Sequence, residues 1–143
     1  MTEIFVIEGV NLGSLGRLRP EVYGILTLND KQKLLSDEFP EVTFDFKQTD
    51  HEGEMVGCVR EVAESAGIII NPGAWTHYSY ALHDALESVD APKVEVHLSN
   101  VQAREEWRRF SVVSPAVDAV VTGMGAFGYV AAAAYLLSQG EDL

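Results

Sequence analysis

Cysteine occurs once in this chain, as Cys58, so no internal disulfide can form, and neither a CxxC nor an HxxxH pair marks a metal site around His51, His77, His83 and His97. Long apolar runs are missing too: none approaches the ~20 residues of a membrane span, which argues against a transmembrane helix. Basic charge is scarce. Ten lysines and arginines stand against 22 acidic residues, for a net charge of -12, a balance that repels nucleic acid and anionic membranes. The opening Met1-Thr2-Glu3 lacks the basic flank and cleavage site of a signal peptide, and with a single cysteine this favours a cytoplasmic setting. Repeats, linkers and low-complexity tracts are absent as well. What remains is a chain of 143 residues, 47% of them apolar, which fits one domain over 1–143 able to bury roughly two thirds of its unfolded surface.

Strand-like and helix-like patterns alternate along the chain. Ile4-Phe5-Val6-Ile7 reads as a buried strand, and Gly9 to Gly24, with four glycines and Pro20, as a long loop of the kind that tends to be functional. Thr27 with Asp30 marks a helix start for Leu28 to Glu38, and Val42 to Lys47 alternates as a strand. A helix beginning near Gly53 places Met55, Cys58, Val59, Val62, Ala63 and Ala66 on one side. Ile68 to Asn71 is a third strand, Ser79 to Ser88 a helix, Lys93 to Leu98 a fourth strand, Val117 to Thr122 a fifth, and Phe127 to Ser138 a closing helix. Such alternation predicts an α/β fold, flavodoxin-like, with a five-stranded parallel sheet of order 2-1-3-4-5 and helices on both faces.

Two apolar runs stop abruptly in hydrogen-bonding residues. Ile68-Ile69-Ile70 breaks into Asn71-Pro72-Gly73-Ala74-Trp75-Thr76-His77, and Val94-Glu95-Val96-His97-Leu98 into Ser99-Asn100. Ligands of open α/β sheets sit outside the carboxyl ends of the strands, so both endings are expected to furnish one crevice. The two-residue period of the fourth strand sets Glu95, His97 and Ser99 on one side and Val94, Val96 and Leu98 on the other. Arg17, Arg19, Arg104, Arg108 and Arg109 fall into two short segments; their guanidinium forks suit a small carboxylate or phosphate, and equally suit plain solvated surface. Tyr23 shares the glycine-bounded loop with two of them. It is either a base whose phenolate is stabilised by cations or an aromatic anchor for the loop.

Other motifs carry less. Gly123-Met124-Gly125-Ala126-Phe127-Gly128 matches GxGxxG, but no later strand supplies the acidic residue of a dinucleotide site, so these glycines read as close packing at a turn. Ser99 lacks a nucleophile elbow, and the glycines at 9, 13 and 16 lack the Lys-Ser/Thr of a phosphate loop. A flavin- or nucleotide-binding flavodoxin-like domain is therefore disfavoured.

Taken in order, Gly9-Val10-Asn11-Leu12, Pro20-Glu21-Val22-Tyr23-Gly24, His51-Glu52-Gly53-Glu54, Ile70-Asn71-Pro72-Gly73-Ala74, Thr76-His77, Glu95-Val96-His97-Leu98-Ser99-Asn100 and Ala103-Arg104-Glu105-Glu106 resemble the type II 3-dehydroquinate dehydratases over nearly the whole chain. The resemblance implies a dodecamer of four trimers and a trans elimination of water with neither cofactor nor metal, giving 3-dehydroshikimate in the shikimate or quinate pathway. It implies Tyr23 as the base that generates an enolate, His97 as the acid for the departing hydroxyl, and Asn11 as the residue holding a water against the enolate oxygen. Asn71, His77, Ser99 and Arg108 match substrate-binding positions, Leu98 and Ser99 would offer backbone amides to the carboxylate, and Asp84 would come from a neighbouring subunit. The family loop carries a catalytic arginine two residues before the proline, where this chain has Leu18 in Gly16-Arg17-Leu18-Arg19-Pro20. Either Arg17 or Arg19 compensates, or the chain is an impaired homologue that binds a cyclic carboxylic acid or serves as a structural oligomer. Val10, Tyr78, Tyr80, His83 and Phe110 are further departures from the family pattern.

Overall fold

The computed structural model describes residues 1–64 and 66–139, so the expectation of one domain over 1–143 extends in part outside the described residues. Five parallel strands, β1 (Glu3–Glu8), β2 (Thr43–Gln48), β3 (Gly67–Asn71), β4 (Lys93–His97) and β5 (Ala119–Thr122), form one sheet in the order β2-β1-β3-β4-β5. This is the order expected from the alternation of strands and helices. Both faces of β3 and β4 are covered, and every residue of these two strands is buried.

The helices divide between the faces. Helix α2 (Leu28–Glu38) and helix α5 (Phe127–Leu137) pack Leu35, Tyr129, Ala132, Ala133 and Leu136 onto Ile4, Val6, Ile69, Val94 and Val96. On the opposite face α3 (Glu52–Arg60) and α4 (Tyr80–Glu87) set Met55, Val59, Leu82 and Leu86 against Ile7, Ile68 and Ile70. Alternate residues of each central strand thus serve alternate cores. The start of α2 is a capping box, in which Asp30 N–H donates to Thr27 Oγ1 at 3.1 Å while Thr27 N–H donates to Asp30 Oδ2 at 2.9 Å. Ser79 caps α4 by accepting from Leu82 N–H.

Two expectations need correction. The stretch from Gly9 to Gly24 is not wholly loop: it holds a 3-10 turn at Leu12–Ser14 and a one-turn helix α1 (Pro20–Tyr23) that has Pro20 at its first position. Helix α3 ends at Arg60, so the buried Val62 and Ala66 pack from the turn that returns to β3, and Ala63 is exposed. Between β4 and β5 the chain makes three 3-10 turns, at Val101–Ala103, Glu106–Arg109 and Ser114–Ala116; the second carries Arg108 and Arg109, and Arg104 follows the first. Among the described residues no helix is long and apolar enough to cross a membrane.

Candidate active site

Beyond the carboxyl ends of β1, β3 and β4 lies a cleft of about 220 Å³, small beside the ~300–1,000 Å³ of drug-sized pockets and suited to a small metabolite. Asn11, Tyr23, Asn71, His77, His97, Leu98, Ser99 and Arg108 all line it. Residues separated by almost a hundred positions in the chain therefore meet at one wall, as the two strand endings suggested. The backbone makes this approach possible at Gly9: a Cβ there would meet the Pro72 carbonyl oxygen at 2.6 Å, and Gly9 N–H donates to Asn71 O at 2.8 Å. Asn11 follows in a left-handed conformation with φ 68, its N–H donating to Asp50 Oδ1 at 2.8 Å.

On β4 the side shared by Glu95 and His97 is a buried polar cluster. The Glu95 carboxylate accepts from His97 Nε2, from Thr76 Oγ1 and, through its other oxygen, from Ser114 Oγ at 2.7 Å. Burial pushes the Glu95 carboxyl up, but these hydrogen bonds and the neighbouring imidazole outweigh it and hold the group below its ordinary value. A carboxylate that only accepts keeps the proton of His97 on Nε2, so proton exchange with a ligand falls to Nδ1. His77 is fixed from the opposite ring atom: Nδ1 donates to the Phe110 carbonyl at 2.7 Å, which leaves Nε2 free. Burial, aided by the charges of His97 and Arg108, lowers the basicity of His77 against the opposing pull of the Phe110 carbonyl. The His77 ring stands edge-on to Trp107 at 5.1 Å, and the Arg108 guanidinium covers the same indole at 4.0 Å while bonding to Glu105.

Tyr23 ends α1 and is held from across the cleft. Arg104 Nη1 donates to Tyr23 Oη at 2.9 Å and to Ser99 Oγ at 3.3 Å, with its guanidinium carbon 5.2 Å from the tyrosine ring centroid. Leu18 itself lines the cleft with an apolar side chain. Of the two flanking arginines, Arg19 borders the cleft with its Nε on Glu21 at 3.1 Å, both side chains being mostly exposed. Arg17 lies in a separate cleft with Gly13, Gly16, Ile25 and Thr27. The cation on the tyrosine is Arg104, from the other arginine segment. Among the described lining residues there are three arginines, two histidines and no acid, so a protein of net charge -12 offers an anion a locally positive cleft.

Asp84 is exposed on α4, outside the cleft, where it, His83 and Glu87 bring ligand-type atoms within 4.8 Å of one another. A search for histidine and cysteine pairs passes over this mixed set. Of the GxGxxG glycines, Gly123 and Gly125 turn with φ 85 and 57, and the close packing is at Gly123 and at Gly128 inside α5, where a Cβ would sit 3.2 Å from Asn100 Cβ and from Val121 Cγ1 respectively; Gly125 has open space.

The family model described as dehydroquinase class II matches residues 2–137. This chain belongs to that family. Among the class II dehydroquinases and their curated relatives, the 3-dehydroquinate dehydratase of Bacillus subtilis is 44% identical over 142 residues, covering 97% of this chain and 96% of that protein. The enzyme of the same name from Chlorobaculum tepidum is 44% identical, covering 98% of this chain and 97% of that one. The crystal structure of the type II dehydroquinase from Propionibacterium acnes superposes with a TM-score of 0.89 at 40% identity, covering 96% of this chain and 97% of that one. That from Butyrivibrio crossotus gives 0.92 at 38% identity, with 96% and 98% covered. Of the residues that the sequence left without a role, Arg104 lines the cleft, while Glu95, Thr76 and Ser114 form the buried cluster behind His97.

Proposed function

We propose that this chain dehydrates 3-dehydroquinate to 3-dehydroshikimate through an enolate. The observation that carries the reading is Tyr23, hydrogen-bonded by Arg104, in one cleft with a histidine whose tautomer Glu95 fixes. Tyr23, with Arg104 donating to its oxygen, takes the proton next to the ketone as phenolate; that C–H bond's electron pair becomes the enolate. Asn11 holds a water against the enolate oxygen, where preorganised donors act on charge as it develops. Collapse of the enolate forms the carbon–carbon double bond and breaks the C–O bond, and His97 delivers a proton so that hydroxide leaves as water. Only protons and a hydroxyl move, and the step is redox-neutral. Asn71, His77, Ser99 and Arg108 bind the substrate, with Leu98 and Ser99 amides on its carboxylate. A dodecamer of four trimers would bring Asp84 of one subunit toward the cleft of another, in a cytoplasmic enzyme of the shikimate or quinate pathway.

Absorbance of the conjugated enone product tests this directly. Purified protein should produce it from 3-dehydroquinate, and Tyr23→Phe and His97→Ala should each lower turnover on the order of 10²–10⁴-fold with the fold intact. Near-normal rates in both variants refute the assigned roles. A second reading, a homologue that binds the cyclic acid without converting it, is favoured by the apolar Leu18 in the cleft lining; it requires binding by calorimetry with no enone formed.

A further inference from the structure

Beneath the cleft runs a hydrogen-bonded chain that joins α2, β1, α5 and β3. Lys31 Nζ donates to Glu8 Oε1 at 2.9 Å, Tyr129 Oη donates to Glu8 Oε2 at 2.9 Å, and Asn71 Nδ2 donates to Tyr129 Oη at 2.9 Å. All four residues are 3% exposed or less, and Lys31 also sits 4.0 Å above the Tyr129 ring. β1 and β3 are neighbours in register at Glu8 and Asn71, which is why the chain can close across the sheet.

The direction of this chain is dictated by its charged end. Lys31 donates to one oxygen of Glu8, and the other oxygen accepts from Tyr129. The single proton of Tyr129 is then committed to Glu8, so the phenol oxygen must accept from Asn71, and the amide nitrogen is forced toward Tyr129. The other end of the amide agrees independently: Asn71 Oδ1 accepts from Gly73 N–H at 3.1 Å. With its orientation fixed at both ends, Asn71 keeps a second N–H for the cleft. We infer that Tyr129, Glu8 and Lys31 are positioning residues that hold Asn71 as a hydrogen-bond donor toward a hydroxyl oxygen of the bound ligand. This rests on the reading of Asn71 as a substrate-binding residue.

Two variants and two readouts test it. Tyr129→Phe removes one oxygen, and Glu8→Gln combined with Lys31→Met removes both charges together, because either single change would strand its partner's charge in the core. In ¹⁵N-labelled protein the side-chain amide signals of Asn71, assigned by their loss in Asn71→Asp, should shift and exchange faster with solvent in Tyr129→Phe. The KM for 3-dehydroquinate should rise roughly tenfold, the worth of one ordered hydrogen bond, with kcat and the pH–rate profile unchanged. The double variant, whose glutamine at position 8 can donate as well as accept, should reproduce that KM rise. Unmoved Asn71 signals in Tyr129→Phe, an unaltered KM, or loss of kcat at constant KM each overturns the inference. Absence of turnover in the parent protein refutes the dehydratase reading instead, and the amide signals then decide the positioning role on their own.

Discussion

Replacing Arg104 by glutamine keeps a planar hydrogen-bonding head in the cleft and removes its charge, which isolates the electrostatic part of its contact with Tyr23. The donor stands 2.9 Å from the phenol oxygen, and both side chains are partly buried. A hydrogen bond to a charged group in such a setting is worth about 1.5–3 kcal/mol, which at about 1.4 kcal/mol per factor of ten corresponds to roughly ten- to hundredfold in rate. The guanidinium faces the oxygen that must take the proton, so removing its charge weakens that contact while the side chain still fills the position. Turnover should fall about ten- to hundredfold. Initial rates of enone formation give the measurement, with Arg17→Gln as the control because Arg17 lies in another cleft. Turnover that is unchanged in Arg104→Gln, or that falls as far in Arg17→Gln, refutes the assignment of Arg104 as the cation serving Tyr23.

Glu95→Gln retains bulk but can donate to His97, which frees the histidine tautomer; kcat should fall on the order of 10²-fold at little cost to KM, and an unchanged kcat would count against the relay. Acid should destabilise the protein in two stages. His77 and Glu95 are both held below their ordinary values, so the folded state binds their protons less readily than the unfolded state, and stability is lost as pH falls below about 6.5 for His77 and then below about 4.5 for Glu95. Thermal melts at stepped pH check this, and His77→Gln should lack the first stage; a melting temperature that rises on acidification contradicts it. Gly9→Ala places a methyl group against the Pro72 carbonyl and should cost about 1–3 kcal/mol in chemical denaturation, whereas a neutral result would mean that β1 and the 71–73 turn can separate freely.

The sheet order was readable because each strand and helix advertises itself by period, and right-handed crossovers leave few topologies for that alternation. The start of the helix from Leu28 to Glu38 was marked by a capping box that lies within four positions. By contrast, the 3-10 turns between β4 and β5 are too short to show a period, and α1 is a single turn that only its proline announces. Much the same divide runs through the site. Asn71, His77, His97 and Ser99 stood out because they terminate apolar runs, but the contact of Arg104 with Tyr23 spans 81 residues and that of Tyr129 with Glu8 spans 121, distances at which spacing carries no signal. Lys31 looks in sequence like any lysine on an exposed helix, and only the packing of α2 against β1 reveals it as a buried partner of Glu8.

The concentration of cations at the cleft within an acidic body has a practical consequence for anyone handling this protein. Sulfate, citrate and similar oxyanions in a buffer are guests for the same arginines, and they should slow the reaction by occupancy, beyond the uniform weakening that chloride produces by screening. Crystals grown from such precipitants would then hold the oxyanion beside Arg104 and Arg108, and soaking in substrate would first have to displace it.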